Sequence, residues 1–267
     1  MEAAATAFYK SPQIGPNSGR GEPGEDRINH TQPYYICSPA SIQTLKTIIL
    51  QIHIIEETKD WLVVSKPAGI QVERNPFGPS VESLVYAHLE AERRNPYVGI
   101  VHRLDRVTTG VVLVAKHRSV LRKLNRQFVE KDVRKTYLAA VDQPPPSEQG
   151  TLHHWLEKDR AAKRAIVHKE PAEKARECLL NYKVLTTTSD NQTLLELEPL
   201  TGRYHQIRAQ LAFVGCPIAG DVHYGAAQPY QDHHIMLHAW KLEFFDERKK
   251  DRRLVEAPLP EWAEALK

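Results

Sequence analysis

A single domain of the mixed α+β class is what the sequence predicts, on three observations. A continuous apolar run from Val111 to Ala115, set between turn signals, reads as a fully buried strand. Val81, Leu84, Val85 and Leu89, and again Leu121, Leu124 and Phe128, recur at the spacing of helices with one face in a core. Leu195 and Leu197 alternate with Glu196 and Glu198, the period of a strand with one buried and one wet face. With 267 residues, 41% of them hydrophobic, the chain can bury a sizeable core.

Composition narrows the function classes. The balance of 36 Lys and Arg against 33 Asp and Glu leaves a net charge of +3, so any affinity for nucleic acid must come from local basic patches. Cys37, Cys178 and Cys216 are odd in number and widely spaced, the pattern of reduced thiols in a cytoplasmic protein. The opening MEAAATAFYK has neither a basic n-region nor a long apolar stretch, so no secretory leader is expected. The apolar stretches, such as Thr47 to Ile55, are too short and too interrupted to span a bilayer. The N-x-T triplets at Asn29 and Asn191 are then chance matches.

In chain order, residues 1–45 read as a flexible extension, because Ser11 to Ala40 is rich in Pro, Gly, Ser and charge without periodicity. Order is expected to begin near Ile48. Ile52 to Ile55 and Trp61 to Ser65 are short strands joined by the polar turn EETKD, and Lys66-Pro67-Ala68-Gly69 is a turn. Ser80 caps a helix that Asn95-Pro96 ends. Ser119 caps a second helix reaching about Lys131, whose outer face of Arg118, Arg122, Lys123 and Arg126 either meets solvent or touches RNA. Lys135 to Val141 is a strand, after which Pro144-Pro145-Pro146 opens a loop-rich region. Thr151 to Pro171, with its interleaved His153, His154, Trp155, Lys158, Arg160, Lys163 and Arg164, reads either as an exposed connector or as a surface for looped RNA. The pairs His153-His154 and His233-His234 lack metal-ligand spacing, so no metal is expected. Glu177 to Thr186 and Thr193 to Pro199 form a hairpin around Ser189-Asp190-Asn191.

Two stretches carry the chemistry. In GIVHRLDRVTTGVVLVAK, Gly99 to Lys116, Asp105 is held between Arg103 and Arg106 on a loop braced by the buried strand that follows. In PLTGRYHQIRAQLAFVGCPIAGDVHYG, residues 199–225, Thr201-Gly202-Arg203 makes a turn and a helix starts near His205, burying Ile207, Leu211 and Val214 before Gly215 caps it. Backbone N–H groups at that helix start, beside Arg203, His205, Gln206 and Arg208, are a natural seat for phosphate or another anion.

Both stretches resemble the RluA family of RNA pseudouridine synthases, in a form without an N-terminal S4 module. The family's HRLD, Thr-rich turn, Gly, aliphatic strand and Ala-Lys stand at residues 102–116. Its K-P-x-G stands at Lys66, its K-x-Y at Lys135 to Tyr137, its T-G-R-x-H-Q-I-R at Thr201 to Arg208, its G-x-P-I-x-G-D and Y-G after that, and its last element at Leu237-His238-Ala239. Tyr204 departs from the usual Thr, and Val107 from a common acidic residue. The resemblance implies a pseudouridine-synthase-like core: a largely antiparallel mixed sheet flanked by helices and loops, with residues 46–267 as the catalytic domain. It also implies Asp105 as catalytic carboxylate, Arg208 as its charge partner and Tyr137 beside the flipped base. Leu237 would line the pocket, and His102, Arg103, Arg106, Thr201, Gly202, Arg203, His205 and Gln206 would face RNA.

The chemistry fits that residue set. Converting uridine to pseudouridine breaks the C1′–N1 bond, turns the base and joins C5 to the same sugar. No redox step or phosphoryl transfer is involved, so neither cofactor nor metal is needed. A carboxylate can serve as nucleophile or as base toward the 2′ proton, and the sequence leaves both open. Tyr137 stacks on the base or relays the C5 proton, and a free phenol pKa of about 10 makes it a poor base unless the site shifts it. The target must leave its stack, and Arg103 either fills the gap or binds phosphate. The partner implied is ribosomal or transfer RNA, the protein acting as a monomer. A non-catalytic RNA-binding or ribosome-assembly protein is the alternative, with no need for the set Asp105, Tyr137 and Arg208. A glycoside hydrolase would want a second carboxylate in a comparable motif.

Overall fold

The computed structural model describes residues 52–189 and 192–266. The expected extension over 1–45, the onset of order near Ile48, Cys37, the Asp190-Asn191 tip and the triplets at Asn29 and Asn191 lie outside the described residues. The strands are β1 (His53–Glu57), β2 (Trp61–Lys66), β3 (Gly99–Ile100), β4 (Thr109–Ala115), β5 (Arg134–Val141), β6 (Gln149–Asp159), β7 (Arg164–His168), β8 (Arg176–Thr187), β9 (Thr193–Pro199), β10 (Leu237–Asp246) and β11 (Asp251–Glu256). The helices are α1 (Val81–Glu90), α2 (Arg118–Val129), α3 (Gln206–Phe213) and α4 (Glu261–Ala265).

All eleven described strands join one sheet in the order β1-β2-β4-β10-β5-β9-β8-β6-β7, with β3 on β4 and β11 on β10. Every pairing between these strands is antiparallel except β4 with β10, where Thr109 and Gly110 run parallel to His238 and Ala239. The largely antiparallel mixed sheet expected from the resemblance is therefore present. Val111 to Ala115 and Leu62 to Val64 are buried throughout, because β2 and β4 lie inside the sheet with both faces covered. One core gathers β2, β4, α1 and α2, a second gathers β8, β9 and α3, and Tyr137 on β5 packs against both.

Most local expectations hold. Ser80 caps α1 through a reciprocal capping box with Ser83, and Val81, Leu84, Val85 and Leu89 are its buried face. Three expectations need correction. The first helix stops at Glu90, short of Asn95-Pro96, and Asn95 takes a left-handed φ of 51°. The second helix starts at Arg118 behind His117, so Ser119 lies within its first turn, and it ends at Val129 instead of Lys131. What fixes α2 to the sheet is Gln127, whose side-chain amide donates to the Phe245 carbonyl and accepts from the Phe245 N–H, both at 2.9 Å.

The third correction is larger. The stretch expected to be loop-rich is the antiparallel hairpin β6–β7, with Asp159 opposite Arg164. Its inward positions include Leu156 and Ala165, but also His154, which is buried against Phe213 with Nδ1 at 3.1 Å from Gln210 Nε2. A histidine at a core position, set among charged outward neighbours, hides the two-residue period.

The parallel junction leaves no room for a side chain at Gly110. A Cβ there would lie 2.1 Å from the Ala239 carbonyl oxygen, and the backbone has φ +113°. Gly110→Ala is expected to cost about 3 kcal/mol or more through overpacking and a backbone conformation closed to alanine. The midpoint of urea denaturation checks this, with an unchanged midpoint counting against so tight a junction.

Two buried histidines make stability sensitive to acid. His102 Nε2 accepts from the Leu113 N–H at 3.1 Å beneath Phe128, and burial, helped by Lys135, pulls its pKa down to about 3. His238, with Nδ1 at 2.8 Å from Thr109 Oγ1, is lowered to about 4 by burial and His234. Unfolded histidine titrates near 6.5, so between pH 6.5 and 4 the unfolded chain binds protons that the folded chain refuses. Stability is full above that window and falls as pH drops through it. Denaturation at pH 7 and pH 5, a range where most carboxylates stay ionised, should show a loss on the order of 2 kcal/mol for each of these histidines, with one such share missing in His238→Asn.

Candidate active site

Asp105 sits on the loop between β3 and β4, and that loop is braced from beneath. Lys66, the last residue of β2, is fully buried and donates through Nζ to the carbonyls of Pro67, Arg106 and Thr108 at 2.9, 3.2 and 2.7 Å. Burial lowers its pKa to about 7, Asp105 opposes that shift and Arg106 adds to it. The carbonyls converging on Nζ favour the ammonium. The Lys66-Pro67-Ala68-Gly69 turn is also stapled to the loop twice. The Gly69 N–H donates to the Arg106 carbonyl at 2.9 Å, and Arg106 Nε donates to the Gly69 carbonyl at 2.8 Å.

Arg208 reaches Asp105 from α3, but its main partner is another acid. Nε and Nη2 grip both carboxylate oxygens of Asp221 at 2.6 and 2.9 Å, while Nη1 donates to Asp105 Oδ2 at 3.2 Å. Burial alone would lower the pKa of Arg208; the hydrogen bonds and charge of Asp221, followed by those of Asp105, raise it above that of free arginine. Asp221 is buried behind Arg208, whereas the Asp105 side chain keeps 27% of its surface exposed. The guanidinium also lies 4.9 Å from the centroid of the Tyr224 ring.

His205 precedes α3 with a left-handed φ of 51° and brings Nε2 to 3.7 Å from Asp105 Oδ2. Tyr137 lies on β5 opposite Ala239 of β10 and Leu197 of β9. Burial, then the charge of Asp105, push its phenol above the ordinary tyrosine range, so it stays protonated at neutral pH. Leu237 is buried at the start of β10. Asp105, Tyr137, His205, Arg208 and Leu237 converge on one cleft of about 720 Å³, a volume suited to a nucleotide-sized ligand.

Of the residues expected to face RNA, His205 instead faces Asp105, and the other seven divide into two groups. Arg103, Arg106, Gly202 and Arg203 are exposed and line the cleft's rim. Arg103 pairs with Glu73 at 2.8 Å, and Arg203 Nε donates to the Glu177 carbonyl at 3.0 Å. His102, Thr201 and Gln206 are committed to the scaffold. His102 accepts from β4, and Gln206 Oε1 accepts from Thr201 Oγ1 at 2.8 Å and from the Arg203 N–H at 3.0 Å. Gln206 Nε2 donates to the Leu179 carbonyl at 3.0 Å. Together they fix the turn that delivers His205 and Arg208.

Sequence reasoning missed Asp221, Lys66 and Tyr224 as members of the site. Each lay in a motif that was read, G-x-P-I-x-G-D, K-P-x-G and Y-G, but K-P-x-G was taken as a turn and the other two were matched without a role for these residues. Among the described residues, no group of three or more His, Cys, Asp or Glu side chains is arranged to hold a metal ion.

Comparison with known proteins is consistent with this geometry. The family model described as RNA pseudouridylate synthase matches residues 60–213. The ribosomal large subunit pseudouridine synthase C of Buchnera aphidicola is 33% identical over 227 residues, covering 82% of this chain and 70% of that protein. The enzyme of the same name from Vibrio cholerae is 32% identical over 231 residues, covering 83% and 70%. An uncharacterized RNA pseudouridine synthase of Bacillus subtilis is 31% identical over 245 residues, covering 90% and 78%. In fold, the chain resembles human RNA pseudouridylate synthase domain containing 4, with a TM-score of 0.68 at 22% identity over 82% of this chain and 92% of that one.

Proposed function

The chain belongs to the RNA pseudouridylate synthase family, and from that membership we propose that it isomerises specific uridines of ribosomal RNA, with Asp105 as the catalytic carboxylate. An RNA isomerase needs one ionised acid facing the sugar of a flipped nucleotide. The observation that carries the reading is the sharing of Arg208 between Asp221 and Asp105. The Arg208 guanidinium meets the Asp105 carboxylate at 3.2 Å inside the cleft. Because Asp221 takes two of the guanidinium's three hydrogen bonds to these acids, Asp105 is left under-compensated and reactive, either as nucleophile at C1′ or as base at C2′.

Tyr137, held neutral, lines the same cleft, where it stacks on the base or relays the C5 proton by passing on its own. The exposed cations Arg103, Arg106 and Arg203 take phosphates at the rim, which suits a chain whose net charge is only +3. Residues 46–267 form the catalytic domain on this reading, acting as a monomer. Cys178 and Cys216, free and buried, suit a reducing cytoplasm. Relatives named for the large ribosomal subunit favour ribosomal over transfer RNA.

The test is incubation of the purified protein with protein-free large-subunit ribosomal RNA and, separately, with transfer RNA, followed by pseudouridine mapping. Wild type should modify defined ribosomal uridines. Asp105→Ala should lose at least about 10³-fold in rate, as expected for removal of the reacting group, while still binding RNA. Modification of transfer RNA alone would reassign the substrate. Binding of both RNAs with modification of neither would favour a non-catalytic RNA-binding protein.

Asp221→Asn tests the charge sharing. The amide places a donor against the Arg208 guanidinium and leaves Arg208 to Asp105 alone, so Asp105 should lose reactivity. The expected outcome is a fall in kcat of roughly 10- to 100-fold with KM little changed, alongside a stability loss of about 3 kcal/mol from the broken buried pair.

A further inference from the structure

Tyr224 occupies a position that determines where a proton sits elsewhere. Its phenol oxygen accepts the Ala165 backbone N–H at 2.7 Å and lies 2.9 Å from His205 Nδ1. A backbone N–H can only donate, so the phenol's own proton is free to be given to the imidazole, with Nδ1 as its acceptor. A neutral imidazole that accepts at Nδ1 carries its proton on Nε2. That nitrogen faces Asp105 Oδ2.

We propose that His205 is a positioning residue for the Asp105 carboxylate, held as the Nε2–H tautomer by a hydrogen-bond chain that runs from the Ala165 backbone through Tyr224. The inference rests on the reading of Asp105 as the catalytic carboxylate. Arg208 Nη1 and His205 Nε2 both address Oδ2, which assigns that oxygen to the scaffold and leaves Oδ1 to react. The 3.7 Å separation is longer than a hydrogen bond, so the positioning role requires the two groups to draw together when a nucleotide binds.

Several independent features serve this placement. Burial lowers the His205 pKa to about 4 against the pull of Asp105, so the ring is neutral at physiological pH. Burial likewise raises the pKa of Tyr224, which keeps its proton. The Tyr204 ring stacks on the imidazole with centroids 3.8 Å apart and planes 20° from parallel. Tyr204 is itself anchored, its hydroxyl donating to the Lys163 carbonyl at 3.1 Å and its face covered by Lys158 Nζ at 4.3 Å. A non-glycine residue with φ 51° is uncommon, and such backbone is retained where a side chain's direction matters. Ala165, Lys163 and Lys158 all belong to the β6–β7 hairpin, which thus reports its docking to the carboxylate.

Long-range proton–nitrogen NMR of histidine-labelled protein reads the tautomer directly. Wild type should show His205 protonated at Nε2, and Tyr224→Phe should shift it toward Nδ1. In turnover, Tyr224→Phe should lose about tenfold in kcat with KM retained, the scale of one hydrogen bond to a charged group. His205→Gln, which can present an amide N–H toward Asp105, should recover most of the rate that His205→Ala loses. An Nδ1–H tautomer in the wild type would overturn the proposal even if no variant folded. So would equal rates for the Gln and Ala variants, or losses confined to stability. Failure of the parent reading looks different: Asp105→Ala would keep its activity, whatever the tautomer.

Discussion

One cation held between two carboxylates organises this protein. Arg208 and Asp221 lie 13 residues apart, on helix α3 and in the turn that follows it, whereas Asp105 comes from the loop before β4, more than a hundred residues earlier. Burying three charges is unfavourable unless each is paired, and a single guanidinium cannot satisfy two acids equally. Here the inequality is useful. Asp221, almost wholly buried, takes two hydrogen bonds from the guanidinium, and Asp105, accessible at the cleft, takes only a single, longer bond.

That arrangement depends on the sheet's single change of direction among the described strands. β4 and β10 begin side by side and parallel, so the loop entering β4, with Asp105, and the start of β10, with Leu237, meet at the same end of the sheet and line one cleft. Lys66 holds the floor of the first loop through three carbonyls, and Gly110 permits the close approach of the two strands. Stability and site geometry are thus coupled at one junction, and a change that loosens the junction also moves Asp105.

Much of this was legible in the sequence, and the limits have physical causes. The buried strands β2 and β4 and the cap of α1 are written in side chains whose preference is local, as are the two arms of the β8–β9 hairpin. The convergence of Asp105, Tyr137 and Arg208 followed from motif resemblance. Asp221 was hidden because its motif matched the family without a role for the acid, and only the tertiary fold shows that it faces an arginine 13 residues earlier. The β6–β7 hairpin was hidden by His154, a polar residue whose inward place is earned by a partner on α3. His102 and Gln206 were expected at the RNA from the motif resemblance, which does not separate ligand contacts from scaffold contacts. Polar residues in a motif serve the scaffold as often as the ligand, and only hydrogen-bond partners tell the two apart.

The same distinction explains how a chain of nearly balanced charge can address RNA. Interior polar groups are bound in directed, buried contacts, whereas the rim cations are held loosely. Arg103 pairs with Glu73 where both side chains are more than half exposed, an arrangement worth at most about 1 kcal/mol in water. Exchanging that carboxylate for a phosphate therefore costs little, and on the proposed reading the exchange frees Arg103 as a target nucleotide enters. Rigidity beneath Asp105 and lability above it are complementary requirements: the first keeps the reacting oxygen aimed, and the second lets a large polyanion displace surface contacts without disturbing that aim.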